Sequence, residues 1–358
     1  MELVENIQEL IEATIPGESS KFPNLGDLRL ETKYVEPLVP TPYQLHLLYR
    51  KISPKDPVAS LVIVHGFGEH SGKYMALASY MALRGFEVHT YDWRGQGRST
   101  GVRGGHDMYE LQQDLNKIIK LVREDLPCFI YGHSLGGLLV TTMLINNPHL
   151  NFSGVIISSP MFWRDGIDVS WGAVKVAEFV YPVFKDVLFT SNISIGSLSR
   201  DMSFLRQAMD DRLFQPYFGI SMGISMAKHL RSLFEEAPNF KYPSIFCHGS
   251  EDKLTSPGAT KKFFERCGSQ DKNLKIVEGA RHELHQDVNR DEFIDGLYQW
   301  MSARIKQPIG NVGDLKIGHP GMKPESQIPK YIFRLVVLAV VAFFVNKRYP
   351  SLLRRLSQ

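Results

Sequence analysis

The chain has 358 residues, 43% of them hydrophobic, enough to bury one large α/β core or two ordinary ones. Its net charge is +3, yet Lys330, Arg334, Lys347, Arg348, Arg354 and Arg355 put six positive charges and no acid in the last thirty residues, so +3 less these six leaves −3 on the body. A mildly acidic body excludes a nucleic-acid footprint, and three widely spaced cysteines, Cys128, Cys247 and Cys267, exclude a disulfide framework and a zinc site and read as small buried hydrophobes.

Residues 1–15 set Glu2, Glu5, Glu9 and Glu12 among Leu and Ile, which predicts a short amphipathic helix and no secretory signal. Pro23, Pro37, Pro40 and Pro42 make residues 21–42 an irregular stretch, so residues 1–39 read as a lead-in to the core. Residues 43–52 alternate like an edge strand, and residues 60–65, Ser-Leu-Val-Ile-Val-His, form a β-branched run like a buried parallel strand. A helix is expected over residues 74–83, a strand over 86–91, and a helix over 108–123, where Leu111, Leu115, Ile118, Ile119 and Val122 recur at helical spacing. Strands are expected at 128–131 and 152–159, with a helix from 138 to 145 between them that stops at Asn146-Asn147-Pro148. Such alternation predicts right-handed βαβ units and a mostly parallel sheet flanked by helices over residues 40–159.

The rhythm breaks over residues 160–239. Met161, Phe162, Trp163, Trp171, Phe179, Tyr181, Phe184, Phe214, Tyr217, Phe218, Met222 and Met226 make this stretch apolar, and Val176, Phe179, Val180, Val183 and Val187 recur at helical spacing around Pro182. The expectation is an inserted helical cap with a greasy inner channel, against the plainer reading of an ordinary subdomain core. The sheet resumes over residues 240–306, with strands at 242–248 and 273–278 and helices at 257–267 and 291–305, and residues 307–327 read as a Pro- and Gly-rich linker.

The chemistry centres on Gly132-His133-Ser134-Leu135-Gly136, a G-x-S-x-G pattern between a short apolar strand and a helix. A nucleophile on so sharp a turn needs small neighbours, and its following N–H points at a developing oxyanion. Serine needs a base, and the base needs an orienting acid. Downstream, the two last strands each end in a loop with one suitable residue, Asp252 and His282; Glu251, His285 and His248 are the weaker competitors. The second oxyanion donor is expected from the loop His65-Gly66-Phe67-Gly68, at the Phe67 N–H, beside that of Leu135.

Taken together, His65-Gly-Phe-Gly-Glu-His70, Asp92-Trp-Arg-Gly-Gln-Gly-Arg-Ser99, Gly132-His-Ser-Leu-Gly-Gly137, Ser199-Arg-Asp201, Gly249-Ser-Glu-Asp252 and Glu278-Gly-Ala-Arg-His-Glu-Leu284 resemble, in order, the monoacylglycerol lipase and lysophospholipase branch of the α/β-hydrolases, over about residues 40–306. The resemblance implies a Ser134–His282–Asp252 triad, an oxyanion pair at Phe67 and Leu135, no metal or cofactor, and hydrolysis of single-chain lipid esters through an acyl-enzyme. Position 67 is often small in the animal lipase, so the acyl entrance differs here. His65, Gly66, His133 and Trp163 are the expected further substrate contacts. An acyltransferase, a general esterase or a peptidase would use the same triad; a silent binding scaffold would be marked by loss of a triad residue, and none is lost. Finally, Leu335–Val345 gives eleven uninterrupted apolar residues flanked by Lys330, Arg334, Lys347, Arg348, Arg354 and Arg355, so residues 328–358 read as a short anchor that holds a cytosol-facing enzyme against an internal membrane.

Overall fold

The structure, a computed structural model, describes residues 2–3, 5–14, 17–22, 24–38, 44–162, 171–184, 187–191 and 193–305. In chain order its main elements are β1 (Glu2–Leu3), α1 (Ile7–Glu12), β2 (Arg29–Val35), β3 (Leu47–Ser53), β4 (Ala59–Val64), α2 (Met75–Ala82), β5 (Phe86–Tyr91), α3 (Met108–Ile119), β6 (Cys128–His133), α4 (Leu135–Asn146), β7 (Gly154–Ser158), α5 (Trp171–Phe184), β8 (Leu188–Thr190), α6 (Met202–Asp210), β9 (Tyr217–Gly219), α7 (Ile220–Glu236), β10 (Ser244–Gly249), α8 (Pro257–Arg266), β11 (Lys272–Val277) and α9 (Arg290–Ser302). Nine strands form one sheet in the order β1-β2-β3-β5-β4-β6-β7-β10-β11, and β8 and β9 form a separate two-stranded sheet. Strands β5, β4, β6, β7, β10 and β11 pair in parallel, while β1, β2 and β3 add on antiparallel.

Both faces of the parallel strands are apolar because both are covered. Successive residues alternate between two cores: Val62, Val64, Ile130, Val155, Ile157 and Phe246 pack with α3, α4 and α8 on one face, and Leu61, Ile63, Phe129, Tyr131, Ile156 and Cys247 with α2 and α9 on the other. All three cysteines are free and buried, and burial pushes the thiols of Cys128 and Cys247 up to about 12, for Cys247 against the pull of Lys275, so they act as small hydrophobes.

Three elements differ from the sequence reading. Residues 29–35 inside the proline-marked lead-in form β2, in register with all of β3. Strand β3 is therefore interior to the sheet rather than at its edge, and its Arg50 is 2% exposed and held by Glu5 at 2.7 Å. In α5 the residues facing α7 are Val174, Ala177 and Tyr181, while Val176 and Val183 are about half exposed, at 48% and 52%. A helix with valines on every side does not reveal by periodicity which side is buried. Among the described residues no helix is long and apolar enough to cross a membrane. The linker and tail beyond residue 305 lie outside the described residues.

Candidate active site

Ser134 sits between β6 and α4 with φ 53° and ψ −119°, a left-handed conformation unfavourable to a side chain. The turn closes tightly: a Cβ on Gly132 would lie 2.7 Å from the Gly136 carbonyl oxygen, and one on Gly136 would strike the His65 carbonyl. The G-x-S-x-G spacing is thus a steric requirement. The Ser134 N–H is fixed by the Ser158 carbonyl at 3.0 Å, and Leu135 opens α4, where a first-turn N–H has no carbonyl within the helix to bond.

The loop after β4 passes close to this turn, since a Cβ on Gly66 would lie 3.0 Å from Ser134 Cβ. It is braced from several sides. Glu69 accepts the Gly66 N–H at 2.8 Å and the Tyr74 hydroxyl at 2.7 Å. Asp92, after β5, accepts the N–H groups of Ser71 and Arg98, both at 2.7 Å. Burial would raise the Asp92 carboxyl, but Arg50 and His70 hold it below the usual range.

His282 follows β11, and its Nδ1 meets Asp252 Oδ2 at 2.7 Å. Asp252 Oδ1 accepts the N–H groups of Leu254 and Thr255 at 2.7 and 3.1 Å. Its Oδ2 is shared by the Thr255 hydroxyl at 2.9 Å and by His248 Nε2 at 3.0 Å, while His248 Nδ1 meets Thr260 at 2.8 Å. Burial favours a neutral Asp252, but the His282 and His248 imidazoles outweigh it and keep the carboxyl well below its ordinary value. Burial likewise opposes charging His282, and the adjacent Asp252 reverses the sign, so its pKa is raised. His248, a weaker competitor in the sequence reading, is a direct partner of Asp252, four residues along the chain. Glu251 points to solvent. His285 stacks on Tyr74 at 4.4 Å, buried away from Asp252, and burial drops its pKa to about 3.

The motif Ser199-Arg-Asp201 ties the segment between β7 and β10, the stretch expected as a cap, to the His282 loop. Ser199 Oγ donates to the Gln286 carbonyl at 2.8 Å, Arg200 pairs with Asp287 at 2.7 Å, and the Glu283 N–H bonds the Leu198 carbonyl at 2.8 Å.

Ser134, Leu135, Phe67 and His282 line one cavity of about 330 Å³, within the common range of small-molecule sites. From residues 160–239 its lining is mostly apolar, with Met161, Ile193, Leu198, Phe214, Phe218, Met222 and Met226 beside the polar Thr190 and Ser191. Its floor holds Glu69, Lys73, Thr255 and Glu283, none of which the sequence reading singled out. Two expected substrate contacts are corrected. His65 is fully buried, with Nε2 accepting the Trp93 N–H at 3.0 Å and Nδ1 at 2.8 Å from the Gly66 carbonyl, so it shapes the loop from behind. His133 is also fully buried, its ring 4.8 Å from that of His282, behind the wall. His133 ends β6 and His65 directly follows β4, so both are enclosed beneath the loops that carry Ser134 and Phe67 to the cavity. Gly66 meets Ser134 through its backbone and does not line the cavity; Trp163 lies outside the described residues.

The family described as serine aminopeptidase, S33 (Hydrolase_4) matches residues 55–289. The rat monoglyceride lipase is 30% identical over 264 residues, covering 70% of this chain and 84% of the relative. An uncharacterized abhydrolase domain-containing protein of Dictyostelium discoideum is 31% identical over 263 residues, 73% of this chain, and the match spans only 28% of that longer relative. The crystal structure of the Paleococcus ferrophilus monoacylglycerol lipase superposes with a TM-score of 0.65 at 27% identity, covering 73% of this chain and 100% of that one. The chain therefore belongs to the Hydrolase_4 family of α/β-hydrolases and is a carboxylic ester hydrolase resembling monoacylglycerol lipase.

Proposed function

We propose that this chain hydrolyses esters carrying one acyl chain, such as monoacylglycerols or lysophospholipids, with Ser134 as nucleophile, His282 as general base and acid, and Asp252 as the group that orients His282. His282 Nε2 takes the Ser134 proton as Oγ adds to the ester carbonyl. The N–H groups of Phe67 and Leu135 stabilise the oxyanion. Collapse passes the proton from His282 to the leaving alcohol and leaves Ser134 acylated. Water, deprotonated by His282, then attacks the acyl-enzyme, and collapse releases the acid and returns the proton to Ser134. The observation that carries this reading is the shared cavity: Ser134 and His282 open onto an apolar wall wide enough for an alkyl chain, while His282 is held by Asp252 at 2.7 Å.

A panel of 1-acylglycerols and simple esters of graded acyl length tests it. Each CH₂ buried against the cap contributes about 0.8 kcal/mol, roughly fourfold in kcat/KM. A steep rise from acetyl toward long acyl chains supports the reading, and a flat dependence refutes the acyl channel.

The tail belongs to the same proposal. Its eleven apolar residues, Leu335–Val345, flanked by basic residues suit a short anchor, with the esters drawn from the membrane it holds. Carbonate extraction of membranes from expressing cells should retain the full chain and release a chain ending at Gln307. Equal release of both would remove the anchor.

A further inference from the structure

Asp252 carries one imidazole more than a triad needs. Its Oδ2 meets His282 Nδ1 at 2.7 Å and His248 Nε2 at 3.0 Å. His248 lies in β10 and is 0% exposed. It faces α8, where its Nδ1 stands 2.8 Å from the Thr260 hydroxyl. The chain then folds back on the end of its strand. The Asp252 N–H bonds the Gly249 carbonyl at 3.3 Å, and a Cβ on Gly249 would strike the Ala280 and Arg281 carbonyls of the His282 loop. Glycine at 249 therefore lets both imidazoles reach one carboxylate oxygen.

The protons assign each atom its part. Asp252 is ionised and only accepts, so both imidazoles present an N–H to Oδ2. In an uncharged His248 ring Nδ1 then keeps a lone pair, and the buried Thr260 hydroxyl donates to it. The Thr255 hydroxyl, 2.9 Å from Oδ2, also lies 3.2 Å from the Ser159 carbonyl, and its single proton serves one of them. A directed chain results: Thr260 O–H to His248 Nδ1, and His248 Nε2–H to the oxygen that also holds His282. An oxygen that already accepts one N–H has less negative charge to offer a second, and a carboxylate braced from two sides cannot turn away from its base.

We propose that His248 is a positioning residue of the triad: it locks the Asp252 carboxylate in the orientation that holds His282 and moderates its pull on the His282 proton. This rests on the serine esterase reading above and extends its relay to His248 and Thr260.

The consequence has a sign. Without the His248 donor, Asp252 is a stronger partner for the imidazolium, so His282 keeps its proton to higher pH and the acid limb of kcat/KM moves up. Asp252→Asn would move it down. Glu283, Glu69, His133 and His285 also face His282, but they are the same in native and variant chains and cancel in the comparison.

The test measures kcat/KM for a 1-acylglycerol against pH in the native chain, His248→Gln and His248→Leu. The glutamine amide still offers an N–H near the place of Nε2, and leucine fills the space without a donor. His248→Leu should lower kcat about tenfold or more and move the acid limb up by about half a pH unit or more, while His248→Gln should stay within about threefold and about 0.2 units of native. Disturbed packing alone would lower the whole profile without moving its limb. An unmoved or lowered limb in His248→Leu, or no recovery in His248→Gln, overturns the proposal. Nitrogen NMR of the native chain labelled at histidine covers the case in which His248→Leu does not fold. It should find the His248 proton on Nε2, and a proton on Nδ1 with Nε2 bare overturns the proposal. Failure of the underlying reading looks different: the native chain itself would leave the ester uncleaved at every pH.

Discussion

The two walls of the cavity are built in opposite ways. On the sheet side the candidate catalytic groups follow β6, β10 and β11 and are held by directed bonds, as Asp252 is by Leu254, Thr255, His282 and His248. On the cap side the wall is mostly Met161, Phe214, Phe218, Met222 and Met226, which contribute shape and apolar area, with Thr190 and Ser191 among them. The cap is also loosely covered: Trp171, Val176, Val183, Leu188, Phe189 and Tyr217 are all more than a third exposed. Chemistry needs fixed geometry and selection among acyl chains needs adaptable surface, so the difference predicts where substitutions abolish turnover and where they retune it.

The largest effect should come from the sheet side. Ser134→Ala is expected to lower kcat by about 10⁴- to 10⁶-fold while the thermal unfolding curve stays in place, because one hydroxyl contributes little to packing. An activity assay paired with a melt separates these outcomes, and retention of even a tenth of the activity would break the assignment. Next comes Asp252→Asn, expected to cost about 10⁴-fold. It should also move the pH profile. His282 must be neutral to act as base, and its pKa is raised by Asp252. Activity is therefore gained as pH rises through a value above the ordinary imidazole range of about 6.5. Without the carboxylate that acid limb should shift to lower pH in kcat/KM; a limb that stays put would assign it to another group.

On the cap side effects should be graded. Phe218→Ala or Met222→Ala should flatten the dependence on acyl length, costing long-chain esters about tenfold while changing acetate esters less than about threefold, as expected for lost apolar contact of about 1–2 kcal/mol. Equal loss on all chain lengths would make these residues structural. The smallest effect is expected at the seam between the walls. Arg200→Ala removes one partner of the buried Asp287, which keeps the N–H groups of Arg281 and Val288, and should lower stability by about 1 kcal/mol in a urea titration.

The same contrast explains what the sequence revealed. The Ser134 turn was legible because its sterics are local: Gly132 and Gly136 mark it within five residues. Asp252 and His282 were legible because parallel sheets present loop residues at strand ends in chain order. His248 against Asp252 was not, although only four residues separate them, because no motif marks a loop that folds back on the end of its own strand, and Lys73 meets Glu283 only when two distant loops pack together. His65 and His133 lie close to the right residues in sequence but are enclosed beneath the loops that reach the cavity. Strand β2 was hidden by the prolines around it and is held by pairing with β3, which no pattern within residues 29–35 announces.

The central claim is that Ser134 is activated by a His282 held on Asp252. Intact-mass and peptide mapping after treatment with a fluorophosphonate tests it most directly, since the probe reports the activated nucleophile without any choice of ester. The account predicts a single adduct on Ser134, absent in Ser134→Ala and slowed by orders of magnitude in Asp252→Asn and His282→Ala. An adduct on a different serine, or undiminished labelling in the two partner variants, would contradict it.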